Sequence, residues 1–165
     1  MNKPIFSRFP SEGTLHFAVS NQTDGSIKKE TGEINHAKLL HFFTKEKFKG
    51  FAISMHQVHS ATVSVVENNR ELVIQNTDCL LTKNPHLALA VLTADCLPIF
   101  LYDPQHQAVG ALHAGRKGLV KGIIEKAVSR MQKEYDTKPQ NLLVAIGPHI
   151  RTKCYEVGED IAEEF

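Results

Sequence analysis

Apolar positions along the chain cluster into short runs separated by polar turns, and the period of each run predicts its element. Leu15 to Val19 reads as a short strand, followed by the polar turn Asn21-Gln22-Thr23-Asp24-Gly25. Asn35 to Lys47 reads as a modest helix. Phe51 to Met55 and Thr62 to Val66 are β-rich runs on either side of His56-Gln57-Val58-His59. Leu87 to Leu92 and Leu97 to Tyr102 are buried-strand candidates parted by Thr93-Ala94-Asp95-Cys96, and the second is closed by the Asp103-Pro104 turn. Ala108 to Leu112 is a further strand. Beyond the glycine-punctuated His113 to Gly118, apolar residues at 119, 120, 123, 124, 127, 128 and 131 keep helical spacing. Leu142 to Ile146 is a last strand, Gly147-Pro148 breaks it, and Glu159 to Phe165 opens a final helix. Several strands follow one another with no helix between them, which predicts an α/β fold of α+β type with largely antiparallel or mixed sheets.

Composition narrows the function. At 165 residues, 42% apolar and 22% charged, the chain has the size and core of one domain. A formal net charge of +1 supplies no field for a nucleic-acid or membrane partner, so a small-molecule site is expected. No run approaches the roughly 18 apolar residues of a spanning helix, and the opening MNKPIFSRFP lacks the apolar core of a secretory signal. Three scattered cysteines, Cys79, Cys96 and Cys154, suit a reducing compartment, and the cytoplasm is the expected location.

Chemistry is concentrated at strand boundaries. His59, Cys96 and His113 each sit where a loop meets an apolar strand, and two imidazoles with a thiolate form a borderline-soft set suited to zinc. Three protein ligands would leave a fourth position open, the arrangement of a catalytic site. Their spacings of 37 and 17 residues match no short zinc signature, so on spacing alone ordinary core or surface roles are the default. Asp95, beside Cys96, reads equally as a general acid/base or ligand-orienting group and as a turn cap. Arg116 and Lys117 are candidate phosphate contacts at a helix start, or simply solvated cations. Asp78 reads as a hydrogen-bonding loop carboxylate. Cys79 and Cys154 read as buried thiols, and the stripe from Leu119 to Met131 as core.

The words around these residues carry more. His56-Gln57-Val58-His59, Thr93-Ala94-Asp95-Cys96-Leu97-Pro98, Leu112-His113-Ala114-Gly115 and Ile146-Gly147-Pro148 occur in this order, with Asp78, Asp103-Pro104 and Cys154-Tyr155-Glu156-Val157-Gly158 around them. Over about Ala52 to Glu164 this combination resembles the YfiH-like family, whose members have been called multicopper polyphenol oxidases, laccase-domain proteins, peptidoglycan editing factors and purine nucleoside phosphorylases. The resemblance implies a layered α-β-β-α fold and a metal on His59, Cys96 and His113. It also implies phosphorolysis of adenosine, inosine or methylthioadenosine, with adenosine deamination as an associated activity. Cys96 and Asp95 would serve the chemistry, and Arg116 and Lys117 the phosphate.

Three departures qualify the resemblance, the first being the family's N-terminal Ser-Thr-Arg word, which stands here as Ala18-Val19-Ser20-Asn21-Gln22 without its arginine. Where relatives continue His-Ala-Gly with Trp-Arg-Gly, this chain has Arg116-Lys117-Gly118. It also ends at Phe165, so the expectation is one domain over residues 1–165, short or truncated at its C-terminus relative to the family. Copper is disfavoured, because nine histidines with no His-X-His pair cannot furnish several copper centres. A cysteine hydrolase built on Cys96 with a histidine base, and a non-catalytic metal-binding module, remain the competing readings.

Overall fold

The computed structural model describes Leu15, residues 18–20, Asp24, Ser26, Ile27, Lys29, Thr31, residues 34–45 and residues 48–164. Of the strand expected at Leu15 to Val19, the described residues Leu15, Ala18 and Val19 are not in a strand; positions 16 and 17 and most of the turn after them lie outside the described residues. Helix α1 spans His36–Lys45. It starts where Asn35 Oδ1 accepts the Lys38 N–H at 3.2 Å, a side-chain cap on the first turn.

The strands are β1 (Phe51–Met55), β2 (Val63–Val65), β3 (Val73–Ile74), β4 (Cys79–Thr82), β5 (Leu87–Leu89), β6 (Leu97–Asp103), β7 (Ala108–Ala114) and β8 (Leu143–Ile146). They form a three-stranded sheet, β3-β1-β5, and a five-stranded sheet, β2-β4-β7-β6-β8. The larger sheet is mixed, with β2 parallel to β4 and the other pairs antiparallel. The smaller one is parallel throughout. The expected α/β fold with mixed sheets holds for the larger sheet, while in the smaller one strands that follow one another without a helix pair in parallel. From β1 to β5 the chain visits the two sheets in turn, so each parallel connection crosses over through a strand of the opposite sheet.

Strand alternation sorts the side chains into three cores, one for each interface of a four-layer stack. Ala52 and Ala90 meet Leu39 of α1, while their neighbours Ile53, Met55 and Leu87 meet Leu80 of the larger sheet. Cys79 and Leu81 face the other way, onto Ile123, Ala127 and Met131. Those three belong to α3 (Ile123–Tyr135), which covers the outer face of the larger sheet. The expected single helix after His113 is therefore two, because α2 (Arg116–Val120) stops at Lys121 and Gly122 takes φ 72° before α3 begins. An L side chain rarely adopts that backbone, and glycine makes the corner without strain. The apolar stripe consequently splits: Ile123 is sealed, whereas Val120 and Ile124 are exposed. Cys79 is buried as expected, and Cys154 is exposed, contrary to its expected burial.

A short helix, α4 (Glu159–Ala162), stands where the last helix was expected. Among the described residues, no helix is long and apolar enough to cross a membrane.

Leu81 has no exposed surface, whereas Val144 on β8 is 55% exposed. Leu81→Ala is expected to cost about 2–5 kcal/mol. Val144→Ala should cost under about 1 kcal/mol. Urea midpoints at unchanged m-value measure both; equal losses would contradict the layer assignment.

Candidate metal centre

β7 is the plank on which the site is built. Its residues Leu112 and Ala114 point into the α3 core, so His113 between them faces the smaller sheet, and it is 3% exposed. On one flank, the register Cys79↔Leu112 continues to bring Asp78 opposite His113. On the other, the register Leu97↔Ala114 continues to bring Cys96 opposite Gly115. His59 arrives from the loop between β1 and β2.

Asp78 has no exposed surface, and its carboxylate organises two of the three loops. Oδ1 accepts the His113 Nδ1–H at 2.8 Å and the His59 backbone N–H at 3.0 Å. Oδ2 accepts N–H groups from Val58 at 3.2 Å and Ser60 at 2.7 Å, and the Ser60 hydroxyl at 2.7 Å. A carboxylate only accepts, so His113 carries a proton on Nδ1 and leaves Nε2 as the atom it can offer to a metal. The same bonds hold His59 at φ 56°, a left-handed conformation that costs a non-glycine residue about 1–2 kcal/mol. Burial pushes the Asp78 carboxyl up, but the bonds from His113, Ser60 and Val58 outweigh it and hold the group below the usual carboxylate range.

The result is a convergent donor set. One ligand atom from each of His59, Cys96 and His113 lies within 4.8 Å of the others, and the two imidazoles stand edge to face with centroids 4.7 Å apart. Tetrahedral zinc, with bonds of about 2.0–2.3 Å, sets its ligand atoms roughly 3.5 Å apart, so closure by little more than about 1 Å completes the triad. Gly115 leaves the space for this. A Cβ there would sit 3.0 Å from His59 Cδ2 and 3.1 Å from Cys96 Sγ. Gly118 has a matching role in α2, where a Cβ would meet the Ser60 carbonyl at 2.9 Å, so the helix presses directly on the His59 loop. The chemistry and the geometry fit a metal ion.

Burial and the carboxylates of Asp95 and Asp78 push the Cys96 thiol up. These surroundings oppose a free thiolate and favour a cation beside it.

The other expected site residues are placed differently. Asp95 is exposed beside Cys96, and its carbonyl accepts the Ile150 N–H at 3.0 Å. Arg116 begins α2 directly after Gly115, where its guanidinium is paired with Glu164. Lys117 is exposed. His149 donates from Nδ1 to the Gly147 carbonyl at 2.7 Å. A cavity of about 920 Å³ lies between α1, β5 and the inward face of β6 and β7; its lining reaches Thr93, Ala94 and Pro98 but includes none of the three ligands. Gln57 was not singled out from the sequence. Its side-chain amide bonds both backbone groups of Leu92, and only its place in the His56 to His59 word hinted at importance.

The family described as multi-copper polyphenol oxidoreductase laccase matches residues 22–165. The chain belongs to this family. A purine nucleoside phosphorylase of Bacteroides thetaiotaomicron is 36% identical over 108 residues, covering 66% of this chain and 40% of that protein. One of Clostridium acetobutylicum is 32% identical over 153 residues, covering 92% of this chain and 62% of that protein. Among solved structures, YlmD from Geobacillus stearothermophilus superposes with a TM-score of 0.70 at 27% identity, covering 79% of this chain and 51% of that one. The YfiH protein of Bacillus licheniformis gives a TM-score of 0.65 at 27% identity, covering 74% of this chain and 50% of that one. The chain thus spans about half the length of these relatives. Despite the family's description, the described residues contain one group able to hold a metal ion.

Asp78→Asn turns an amide N–H toward donors that need an acceptor, and is expected to cost about 1–3 kcal/mol at pH 7. Metal affinity should fall about 10–100-fold. The depressed carboxyl contributes stability above its unfolded pKa of about 3.9, and that contribution is lost as pH falls through the lower folded value. The stability gap between wild type and variant should therefore shrink in acid; a pH-independent gap in metal-free protein would contradict the carboxylate's role. Gly115→Ala is expected to weaken metal binding by at least about 10-fold while leaving the metal-free fold cooperative, checked by competition with a chromophoric chelator and by thermal unfolding.

Proposed function

We propose that this chain is the metal-bearing part of a zinc-dependent purine nucleoside phosphorylase that takes adenosine, inosine or methylthioadenosine together with phosphate. The observation that carries this reading is the convergence of His59, Cys96 and His113 around the space left by Gly115. The phosphorylase names of the Bacteroides and Clostridium relatives support the reaction class. Zinc is the metal the donor set favours, two imidazoles and a thiolate with no ligand from hard oxygen. Bound there, it would supply an electrophilic centre and an open coordination position beside the substrate.

The chain's own residues supply the remainder. Asp78 keeps the His113 tautomer fixed, so no reorganisation is needed when a ligand arrives. Phosphorolysis requires an anion to be held against C1′ as the purine leaves. Lys117 offers an exposed ammonium for it, and Arg116 exchanges Glu164 for phosphate. Asp95, exposed and next to Cys96 in the chain, would exchange a proton with the departing base. Adenosine deamination would use the same centre for a different bond, with water attacking C6 of the purine and ammonia leaving.

A second reading has its own support. Arg116 is already engaged by Glu164, which suits a module that binds metal without turnover. The cysteine-hydrolase reading loses ground, because a thiol raised by burial and two neighbouring carboxylates is a poor nucleophile.

The deciding experiment joins elemental analysis to product chromatography. About one zinc per chain is expected, with phosphate-dependent release of hypoxanthine from inosine or adenine from adenosine, and Cys96→Ser should lose activity by more than about 100-fold. Ammonia released from adenosine without phosphate would identify deamination. Stoichiometric zinc without either product would favour the binding module, and full activity in metal-free protein would overturn the zinc mechanism.

A further inference from the structure

Asp78 ties together the His59 loop and His113, but it makes no hydrogen bond to the segment that carries Cys96. That connection is made elsewhere. The parallel ladder of β1 and β5 runs through Phe51↔Leu87, Ala52↔Ala88 and Ile53↔Leu89, and the Ala90 N–H still reaches the Ile53 carbonyl at 2.8 Å. There the backbones part, because β1 turns into the His56 to Ser60 loop. The Gln57 side chain then continues the ladder in place of a peptide unit. Its Nε2–H donates to the Leu92 carbonyl at 2.7 Å, and its Oε1 accepts the Leu92 N–H at 2.9 Å. A carboxamide has the same donor and acceptor as a peptide group, so it can satisfy both backbone groups of one residue at once.

Leu92 stands four residues before Cys96, and the span between them is irregular. Its far end is anchored by the Ile150 N–H on the Asp95 carbonyl at 3.0 Å, and its near end by Gln57. Gln57 is itself two residues before His59 and half-buried. One side chain therefore bonds the loop of the first ligand to the loop of the second.

We propose that Gln57 is a positioning residue of the metal centre, which holds the Leu92 to Cys96 segment against the His59 loop so that the Cys96 thiolate reaches a metal held by the two histidines. The proposal rests on the metal-centre reading and is independent of what reaction the centre performs. Asp78 sets two ligands and Gln57 registers the third, so the two hydrogen-bonding hubs together account for the whole triad.

The test uses the full chain, stripped of metal and titrated with cobalt(II), whose visible bands report bound metal and whose near-ultraviolet charge-transfer absorption reports a thiolate ligand. Gln57→Met keeps the length of the side chain and removes both hydrogen bonds. Gln57→Glu keeps the acceptor for the Leu92 N–H and sets a carboxylate oxygen against the Leu92 carbonyl. Both variants should bind cobalt about 10–100-fold more weakly than wild type and lose most of the charge-transfer absorption per bound cobalt, approaching Cys96→Ser. Thermal unfolding of the metal-free variants monitors the fold separately. A Gln57→Met protein of lowered stability but wild-type cobalt affinity and charge-transfer absorption would show the amide to be structural only and overturn the proposal. Wild type that binds cobalt without thiolate absorption would remove Cys96 from the centre, and the triad and the proposal would fall together; wild type with that absorption but no phosphorolysis would leave the proposal standing and defeat the functional reading alone.

Discussion

The buried carboxylate of Asp78 is the constraint on which the site depends. An ionised group without solvent exposure is tolerated only when its lone pairs are filled, and here five donors fill them: three backbone N–H groups, one hydroxyl and one imidazole. The arrangement works in both directions. The donors keep the carboxyl ionised, and the ionised carboxyl forces the loop from Val58 to Ser60 to curl around it, including the left-handed turn at His59. Removing it would leave the backbone N–H groups of Val58, His59 and Ser60 without this acceptor, so the loop geometry and the charge stand or fall together.

The fold explains why this carboxylate can reach two ligands far apart in sequence. Because the chain shuttles between the two sheets from β1 to β5, the β1 to β2 loop must cross at the end of β4, where Asp78 lies. The antiparallel registers of β7 with β4 and β6 then deliver Asp78 and Cys96 to opposite flanks of the same strand end. Ligands in the loops between β1 and β2, between β5 and β6, and at the end of β7 meet because those three chain reversals lie at one edge of the stack. Gly115 and Gly118 keep that edge tight by omitting side chains where His59, Cys96 and the Ser60 carbonyl approach.

Much of this was legible in the sequence, and the parts that were not have physical reasons. Period and punctuation located β1, β6, β7, β8 and the helices, since each run is long enough or well enough bounded to show its pattern. β3, with only Val73–Ile74, is too short to display a period. The division of α2 from α3 was hidden because Leu119, Val120, Ile123 and Ile124 keep helical spacing across Gly122, and nothing in that spacing reveals a left-handed glycine. Strand direction in the smaller sheet was hidden for a different reason: local order says which strands succeed one another, not that successive strands belong to different sheets. His59, Cys96 and His113 were found through their surrounding words, and the structure brings them together. Gln57 and the full reach of Asp78 were not found, because a side chain that pairs with backbone 35 residues away leaves no spacing signature.

The chemical character of Cys96 follows from the same geometry. A nucleophilic thiol needs cationic neighbours to stabilise its thiolate, yet burial pushes the Cys96 thiol up, and the carboxylates of Asp95 and Asp78 act in the same direction. His113 turns its other ring nitrogen toward the triad while Nδ1 is committed to Asp78, an arrangement that raises its value as a ligand. A metal cation reverses the balance at one stroke, since it compensates both carboxylates and makes the deprotonated sulfur the favoured state. The acidic surroundings that disfavour a free thiolate are thus compensated by a cation, and the three side chains make physical sense as a set around positive charge.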